Sequence, residues 1–159
     1  MAAPSFSLRP FVSEDLPALI TLFRQTVWHV NCRDYSPAQL AAWAPENIDA
    51  SRWLPSLLEH ETVIAQMDHG EIAGFGDISD QGYLDRLYVH KDYQRQGVAT
   101  AILSHFESYA RACNCDQIET HASITARPFF ASKGFFVFKE QQVERFGQLL
   151  TNYVMYKKL

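Results

Sequence analysis

Hydrophobic and polar positions along the chain change period several times, and each change marks an element. Residues 5–12 (Ser-Phe-Ser-Leu-Arg-Pro-Phe-Val) alternate as a half-buried strand does, with Pro10 confining it to an edge or ending it. From Glu14 the spacing becomes helical: Leu16, Leu19, Ile20, Phe23, Val27 and Val30 share one face, and Ser13 is placed to cap. Ser36-Pro37, a cap followed by proline at the first helical position, opens a second short helix that runs through Trp43 and ends at Ala44-Pro45. Asp49 is placed to cap a third helix carrying Trp53, Leu54, Leu57 and Leu58, with Pro55 near its first turn.

The pattern then becomes strand-like. Thr62–Met67 and Glu71–Ile78 flank the turn signal Asp68-His69-Gly70 and read as a hairpin. Ser79-Asp80-Gln81-Gly82 turns into a strand over Tyr83–Val89. Residues 98–112 form an amphipathic helix with Ile102, Leu103, Phe106, Tyr109 and Ala110 on its apolar face. Gln117–His121 is a strand, and Thr125–Lys133 a short helix stopped by Gly134. Phe135–Val143 and Asn152–Lys158 close the chain as strands. The order β-α-α-α-β-β-β-α-β-α-β-β places the chain among α/β (α+β) folds, and the absence of repeats and linkers predicts a single domain over 1–159.

Composition narrows the partners. A formal charge of −4 and pI near 5.8 argue against nucleic acid or an anionic membrane surface. Nothing in the sequence is apolar for long enough to span a bilayer. Met1-Ala-Ala-Pro-Ser-Phe lacks the basic and apolar regions of a secretory leader, so a cytoplasmic location is expected. Cys32, Cys113 and Cys115 have no zinc-site spacing and read as reduced thiols, so no metal is expected.

The chemistry-bearing stretch is Leu87 to Thr100, a strand, a polar turn and a helix start with Gln94-x-x-Gly97-x-Ala99 at the turn. Small residues there let a ligand approach the backbone, and the first amides of a helix lack intrahelical partners. With the positive end of the helix dipole they make an anion site. The plainer alternative is a helix start that uses Gly97 only to turn. A dinucleotide reading from Gly74-Phe75-Gly76 fails, because no third glycine follows and no helix opens there.

Four segments in order resemble the GNAT (GCN5-related N-acetyltransferase) family. The strand Tyr83–Val89 is similar to its central strand, and Gln94–Ala99 to its Gln/Arg-x-x-Gly-x-Gly/Ala loop. Ala126-Arg-Pro-Phe-Phe-Ala-Ser-Lys-Gly-Phe135 resembles its Ala-x-x-Phe-Tyr-x-x-x-Gly-Phe, and Tyr153–Leu159 its last strand. His29–Tyr35 and Trp43-Ala44-Pro45 further resemble a YafP-like subgroup. The resemblance implies a central mixed, mostly antiparallel sheet flanked by helices, with acetyl-CoA as cofactor. It implies that backbone amides of Arg95, Gln96, Gly97, Val98, Ala99 and Thr100 hold the phosphates, with the Thr100 hydroxyl as a further donor. The backbone of Leu87 and Val89 would pair with the pantetheine amides as an added strand does, with Tyr88 between them also at the cofactor. Ser123 and Phe130 would stand at the thiol end.

Acetyl transfer to an amine needs a deprotonated nucleophile, a donor for the thioester carbonyl and help for the leaving thiolate. The resemblance makes the Val89 amide the carbonyl donor and Asp85, on the central strand, the first candidate base. Asp85 can instead pair with Arg86 and only stabilise. His121 is the next candidate, imidazole being a side chain suited to base chemistry, and His29 a weaker one. The family's acid tyrosine is Phe130 here and its usual asparagine is Ser123, so water, Ser123, Tyr93, Tyr153 or no protein group serves as acid. Phe129 reads as core, and Phe130 as core or as a wall at the thiol end.

The stretch Thr26–Ser36 is rich in polar and aromatic side chains, and in this family that region forms a wall of the acceptor site, which points to Trp28, His29, Asn31 and Tyr35. Trp28, Tyr35, Trp43 and Trp53 either line an aromatic pocket for a cation or pack as core. The reading is an N-acetyltransferase acting on a small-molecule primary amine by direct attack in a ternary complex, as monomer or homodimer. The alternatives are a protein lysine or N-terminal acetyltransferase and a non-catalytic acyl-CoA-binding module.

Overall fold

A computed structural model of the chain describes residues 5–159, so the expectation drawn from Met1–Phe6 falls largely outside the described residues. The strands are β1 Phe6–Pro10, β2 Glu61–Met67, β3 Ile72–Ile78, β4 Tyr83–Val89, β5 Gln117–Ser123, β6 Phe136–Arg145 and β7 Gln148–Lys158. The helices are α1 Leu16–His29, α2 Pro37–Trp43, α3 Leu54–Glu59, α4 Val98–Ala112 and α5 Arg127–Ser132. The strands form one seven-stranded sheet in the order β1-β2-β3-β4-β5-β7-β6. Every neighbouring pair is antiparallel except β4–β5.

Each sheet face carries its own core. On one face Val98, Ile102, Phe106 and Ala110 of α4 pack with Val63, Ala73 and Met155. On the other, Leu19, Phe23 and Val27 of α1 pack with Leu40, Leu57, Ile64 and Phe75. The periodic apolar positions of both helices therefore meet a strand face whose side chains alternate between the two cores.

Glycines on β3 let α4 approach. A Cβ on Gly76 would lie 2.7 Å from the Arg86 carbonyl oxygen and 3.0 Å from the Phe106 ring. Neither can retreat, since one is backbone and the other is fully buried. Gly76→Ala is therefore expected to cost about 2 kcal/mol of stability, the size of a core overpacking. A denaturant midpoint unchanged from the parent protein would contradict that.

Several boundaries differ from the sequence reading. Ser13 does not cap α1: a 3-10 turn over Ser13–Asp15 precedes it, and the Asp15 carboxylate accepts the Val12 N–H at 2.9 Å. Arg9 grips the same carboxylate through both nitrogens at 2.9 Å and holds it below the usual carboxylate range. Asp49 caps a separate 3-10 turn, Ala50–Arg52, ahead of α3. Ser36 caps α2 as expected, completed by Gln39. β5 runs on to Ser123, and β6 and β7 extend until only Phe146 and Gly147 separate them, both at positive φ (46° and 80°).

One irregularity shapes the central strand. Asp77 pairs with Arg86 but Ile78 pairs with Leu84, so Asp85 is the residue left over in a bulge. Beside it, the fully buried Asp77 takes Arg86 at 2.9 Å and His60 at 2.7 Å on one oxygen, leaving Oδ1 without a partner among the described residues. Burial pushes the Asp77 carboxyl above its ordinary range, and the Arg86 guanidinium opposes that push.

Candidate active site

The site begins where two strands part. β4 and β5 pair only at Tyr83↔Glu119 and Leu84↔Thr120. Beyond Leu84 the β4 edge has no β5 partner. The His90 N–H donates to the Ala73 carbonyl at 2.7 Å, which fixes the parity of the β3–β4 ladder. Tyr88 therefore bonds toward β3, while Leu87 and Val89 turn their peptide groups away from β3 and into the gap. The Val89 carbonyl there already accepts from the Thr26 hydroxyl at 2.9 Å and the Gln94 amide at 2.7 Å.

At the far end of β4 the chain winds into a concave turn. Arg95 (φ 61°) and Gly97 (φ 87°) adopt left-handed conformations, and α4 opens at Val98. Ala101 makes a helical bond back to Gly97, so the preceding amides of Val98, Ala99 and Thr100 have no intrahelical acceptor. Alternating backbone hands and free helix amides make an anion-binding concavity at the positive end of a 15-residue helix. A Cβ on Gly97 would meet nothing within 4 Å, so the concavity is open.

A cleft of about 820 Å³ joins the gap to the turn. Its walls include Leu87, Tyr88, Val89, Arg95, Gly97, Val98, Ala99 and Thr100 on one side, and Ser123 and Phe130 on the other. Gln96, grouped with these by sequence, lies off the wall and reaches back to the Asp92 carbonyl at 3.5 Å. Tyr88 contributes where the strand borders the cleft, while its ring packs at 5.0 Å from Phe23, and burial raises its hydroxyl. Phe130 is buried against Phe129 and Phe135 while still forming part of the wall.

The residues expected on the acceptor side divide. Asn31, buried at the end of α1, lines the cleft with its amide 3.5 Å from the Ser123 hydroxyl. Trp28 and His29 do not line it: helical periodicity turns them to a shallower surface depression with Arg24 and Glu46, and the Trp28 indole donates to the Ala44 carbonyl. Tyr35 does not line it either. Its hydroxyl donates to the Thr151 carbonyl at 2.6 Å and accepts the Ile124 N–H at 2.9 Å, so it is committed to structure. Trp28, Tyr35, Trp43 and Trp53 belong to the core over Phe23 and Phe75 rather than to a cation pocket.

Asp85 and His121 are off the cleft wall. Each is the residue that follows the last β4–β5 pair, so they flank the point of the fork. Asp85 is 3.4 Å from Arg86, and His121 bonds Glu119 at 3.0 Å and Gln141 at 3.4 Å. Tyr83 lies between these groups, its ring 5.4 Å from that of His121 and its hydroxyl pushed up to about 12 by burial and by the Asp85 charge. Of the acid candidates, Tyr93 is on the wall but donates to Glu71, and Tyr153 lies under Arg127 at 4.5 Å. The Ser123 hydroxyl accepts the Ala126 N–H at 3.0 Å, which leaves its proton free to donate.

Sequence reasoning missed Gln94, Thr125 and Arg127 as wall residues, and did not single out Thr26, Arg33 and Asp34 within the 26–36 stretch. Gln94 carried a signal as the first residue of the turn motif. Thr26 opened the stretch expected to form the acceptor wall, with no signal of its own beyond a hydroxyl on the apolar side of a helix.

Residues 31–157 match the acetyltransferase (GNAT) domain family. An N-acetyltransferase of Escherichia coli K12, YafP, is 33% identical over 151 residues, covering 95% of each chain. A GCN5-related N-acetyltransferase structure from Rhodopseudomonas palustris superposes with a TM-score of 0.94 at 30% identity, covering 100% of this chain and 99% of that one. PaiA N-acetyltransferase of Thermoplasma acidophilum, solved with coenzyme A, gives 0.78 at 19% identity over 98% and 99%. YncA of Salmonella typhimurium, solved with acetyl-CoA, gives 0.72 at 18% over 98% and 94%.

Proposed function

The chain belongs to the GNAT acetyltransferase family, and from that membership we propose that it transfers the acetyl group of acetyl-CoA to a primary amine of a small molecule. The observation that carries the site is the fork beside the anion turn. The open edge at Leu87 and Val89 matches an amide-bearing arm, and the concave turn at Arg95 and Gly97 with the free amides of Val98, Ala99 and Thr100 matches a diphosphate. When bound, acetyl-CoA supplies an activated thioester acyl group.

The chain's own groups then have defined tasks. The Leu87 and Val89 N–H groups face the gap, and one of them polarises an acyl carbonyl placed there. Asp85 or His121, at the point of the fork, removes the amine proton directly or through water, allowing direct attack within a ternary complex. Phe130 has no proton to give, so the Ser123 hydroxyl or a water hands one to the departing thiolate. Two ties across the acceptor end support a small acceptor over a protein chain. The Thr125 hydroxyl donates to Asp34 at 2.8 Å, and Tyr35 binds the start of the same loop. They favour a pocket over an open groove. We place the activity in one domain over 1–159, acting in the cytoplasm as a monomer or homodimer; the free Cys32, Cys113 and Cys115 suit a reducing compartment.

Acetyl-CoA turnover against an amine panel, read as thiol release, tests the reading. Asp85→Asn is expected to lower turnover about a hundredfold, the usual worth of a general base, with acetyl-CoA affinity nearly intact. The loss should be largest at low pH, because an alkylammonium with pKa near ~10.4 depends most on a base there. An unchanged pH–rate profile removes Asp85 and leaves His121. Tight acetyl-CoA binding with no turnover on any amine favours the non-catalytic module.

A further inference from the structure

The Val89–His90 peptide is held on both edges. Its N–H donates to the Ala73 carbonyl at 2.7 Å. Its carbonyl takes Thr26 at 2.9 Å and Gln94 at 2.7 Å, which fills both lone pairs. Neither donor has a local reason to be there. A threonine inside a helix ordinarily bonds back to its own preceding turn, whereas buried Thr26 reaches 63 residues along the chain. Gln94 opens the anion turn, yet its side chain points away from the turn and back to the strand.

The consequence concerns register. An extended ligand arm laid on an open strand edge can slip by two residues and make equivalent bonds, a displacement of about 7 Å. On β4 the groups facing the gap are the Leu87 N–H and C=O, then the Val89 N–H and C=O. With the last of these saturated, only one register remains. We propose that Thr26 and Gln94 are positioning residues that stop the ladder at the Val89 carbonyl and so fix how far along the β4 edge the acyl carbonyl at the end of the arm comes to rest. This rests on the proposed function, since it takes the arm to be that of acetyl-CoA.

Removing one donor frees a bond on the Val89 carbonyl, so affinity should survive while alignment fails. Thr26→Val and Gln94→Met are each expected to bind CoA within about threefold of the parent protein, because the arm trades one edge bond for another. Acetyl transfer to the acceptor found in the amine panel should fall about tenfold or more, since a misplacement of about 1 Å alone costs on the order of a hundredfold. Thr26→Ser, which keeps the hydroxyl, should restore it. Amide hydrogen exchange gives a readout that needs no acceptor. CoA should protect the Leu87 N–H in the parent protein and in Thr26→Ser, and protect it less in the other two variants. Should one variant fail to fold, the other carries the test.

Parent-like transfer and parent-like Leu87 protection in the variants overturn the inference. So does a loss of transfer matched by an equal loss of CoA affinity, which would make the two side chains part of the general scaffold. A parent protein that binds no CoA at all takes the proposed function down with the inference, an outcome distinct from either.

Discussion

Gly97→Glu is expected to abolish acetyl-CoA binding while leaving the protein folded. Gly97 sits at φ 87°, where a side chain costs roughly 1–2 kcal/mol, and its Cβ would point into open space within the concave turn. A carboxylate there occupies the position prepared for an anion, and each like-charge contact near 4 Å costs up to about 4 kcal/mol in a partly exposed site. Together these exceed the roughly 2.8 kcal/mol that a hundredfold loss represents. Calorimetric titration with acetyl-CoA reads the loss. Gly97→Ala separates the contributions, because it carries the conformational strain without the charge and should weaken binding about tenfold. Affinity retained in Gly97→Glu would refute the assignment of this turn to the phosphates.

The second large effect is on stability and lies away from the cleft. Arg86 donates to buried Asp77 at 2.9 Å and to the Ser56 hydroxyl at 3.1 Å, and its guanidinium stacks 4.8 Å from the centre of the Trp53 ring. Arg86→Met keeps much of the volume but leaves a buried carboxylate with Asp85 near it and His60 as its remaining hydrogen-bond partner among the described residues. Breaking such a pair typically costs about 3–5 kcal/mol, a fall in melting temperature on the order of 10 °C for a chain of this size. Adding Asp77→Asn should recover part of the loss, because the uncompensated charge is then gone. A melting temperature within a degree or two of the parent protein would show that the pair contributes little. The same guanidinium supplies the positive charge amid His60, Asp77 and Asp85, whose ligand atoms lie within 4.8 Å of one another.

How much of this was legible depended on whether a feature is local. The apolar face of α4 and the turn with Gly97 are set by neighbours within one or two turns, and both stand where the spacing of 98–112 and Gln94–Ala99 put them. The spacing ends one closing strand at Val143 and begins the next at Asn152, short of the observed hairpin, because its turn uses Phe146 at positive φ, where Asn or Gly is the readable signal. The acceptor side was the least legible. Trp28 and Tyr35 are aromatic and near the right loop, but which way each faces depends on how α1 rolls against the sheet. Asp85 is the sharper case. Its direction is set by the bulge opposite Asp77 and Ile78, and one extra residue in a strand changes which face each following side chain meets. No pattern in Tyr83–Val89 announces that bulge.

The fork at Leu87 and Val89 offers a ligand peptide groups rather than side chains, and every substitution short of proline leaves those groups in place. Donor recognition of this kind is inherited with the fold. It survives wholesale turnover of the residues that display it, provided the strands still part after Leu84 and Thr120. Divergence is then free to concentrate on the opposite wall, around Asn31, Asp34 and Thr125, where side chains do meet the cleft. A lineage built this way can change what it acetylates repeatedly without having to rediscover how to hold what it acetylates with.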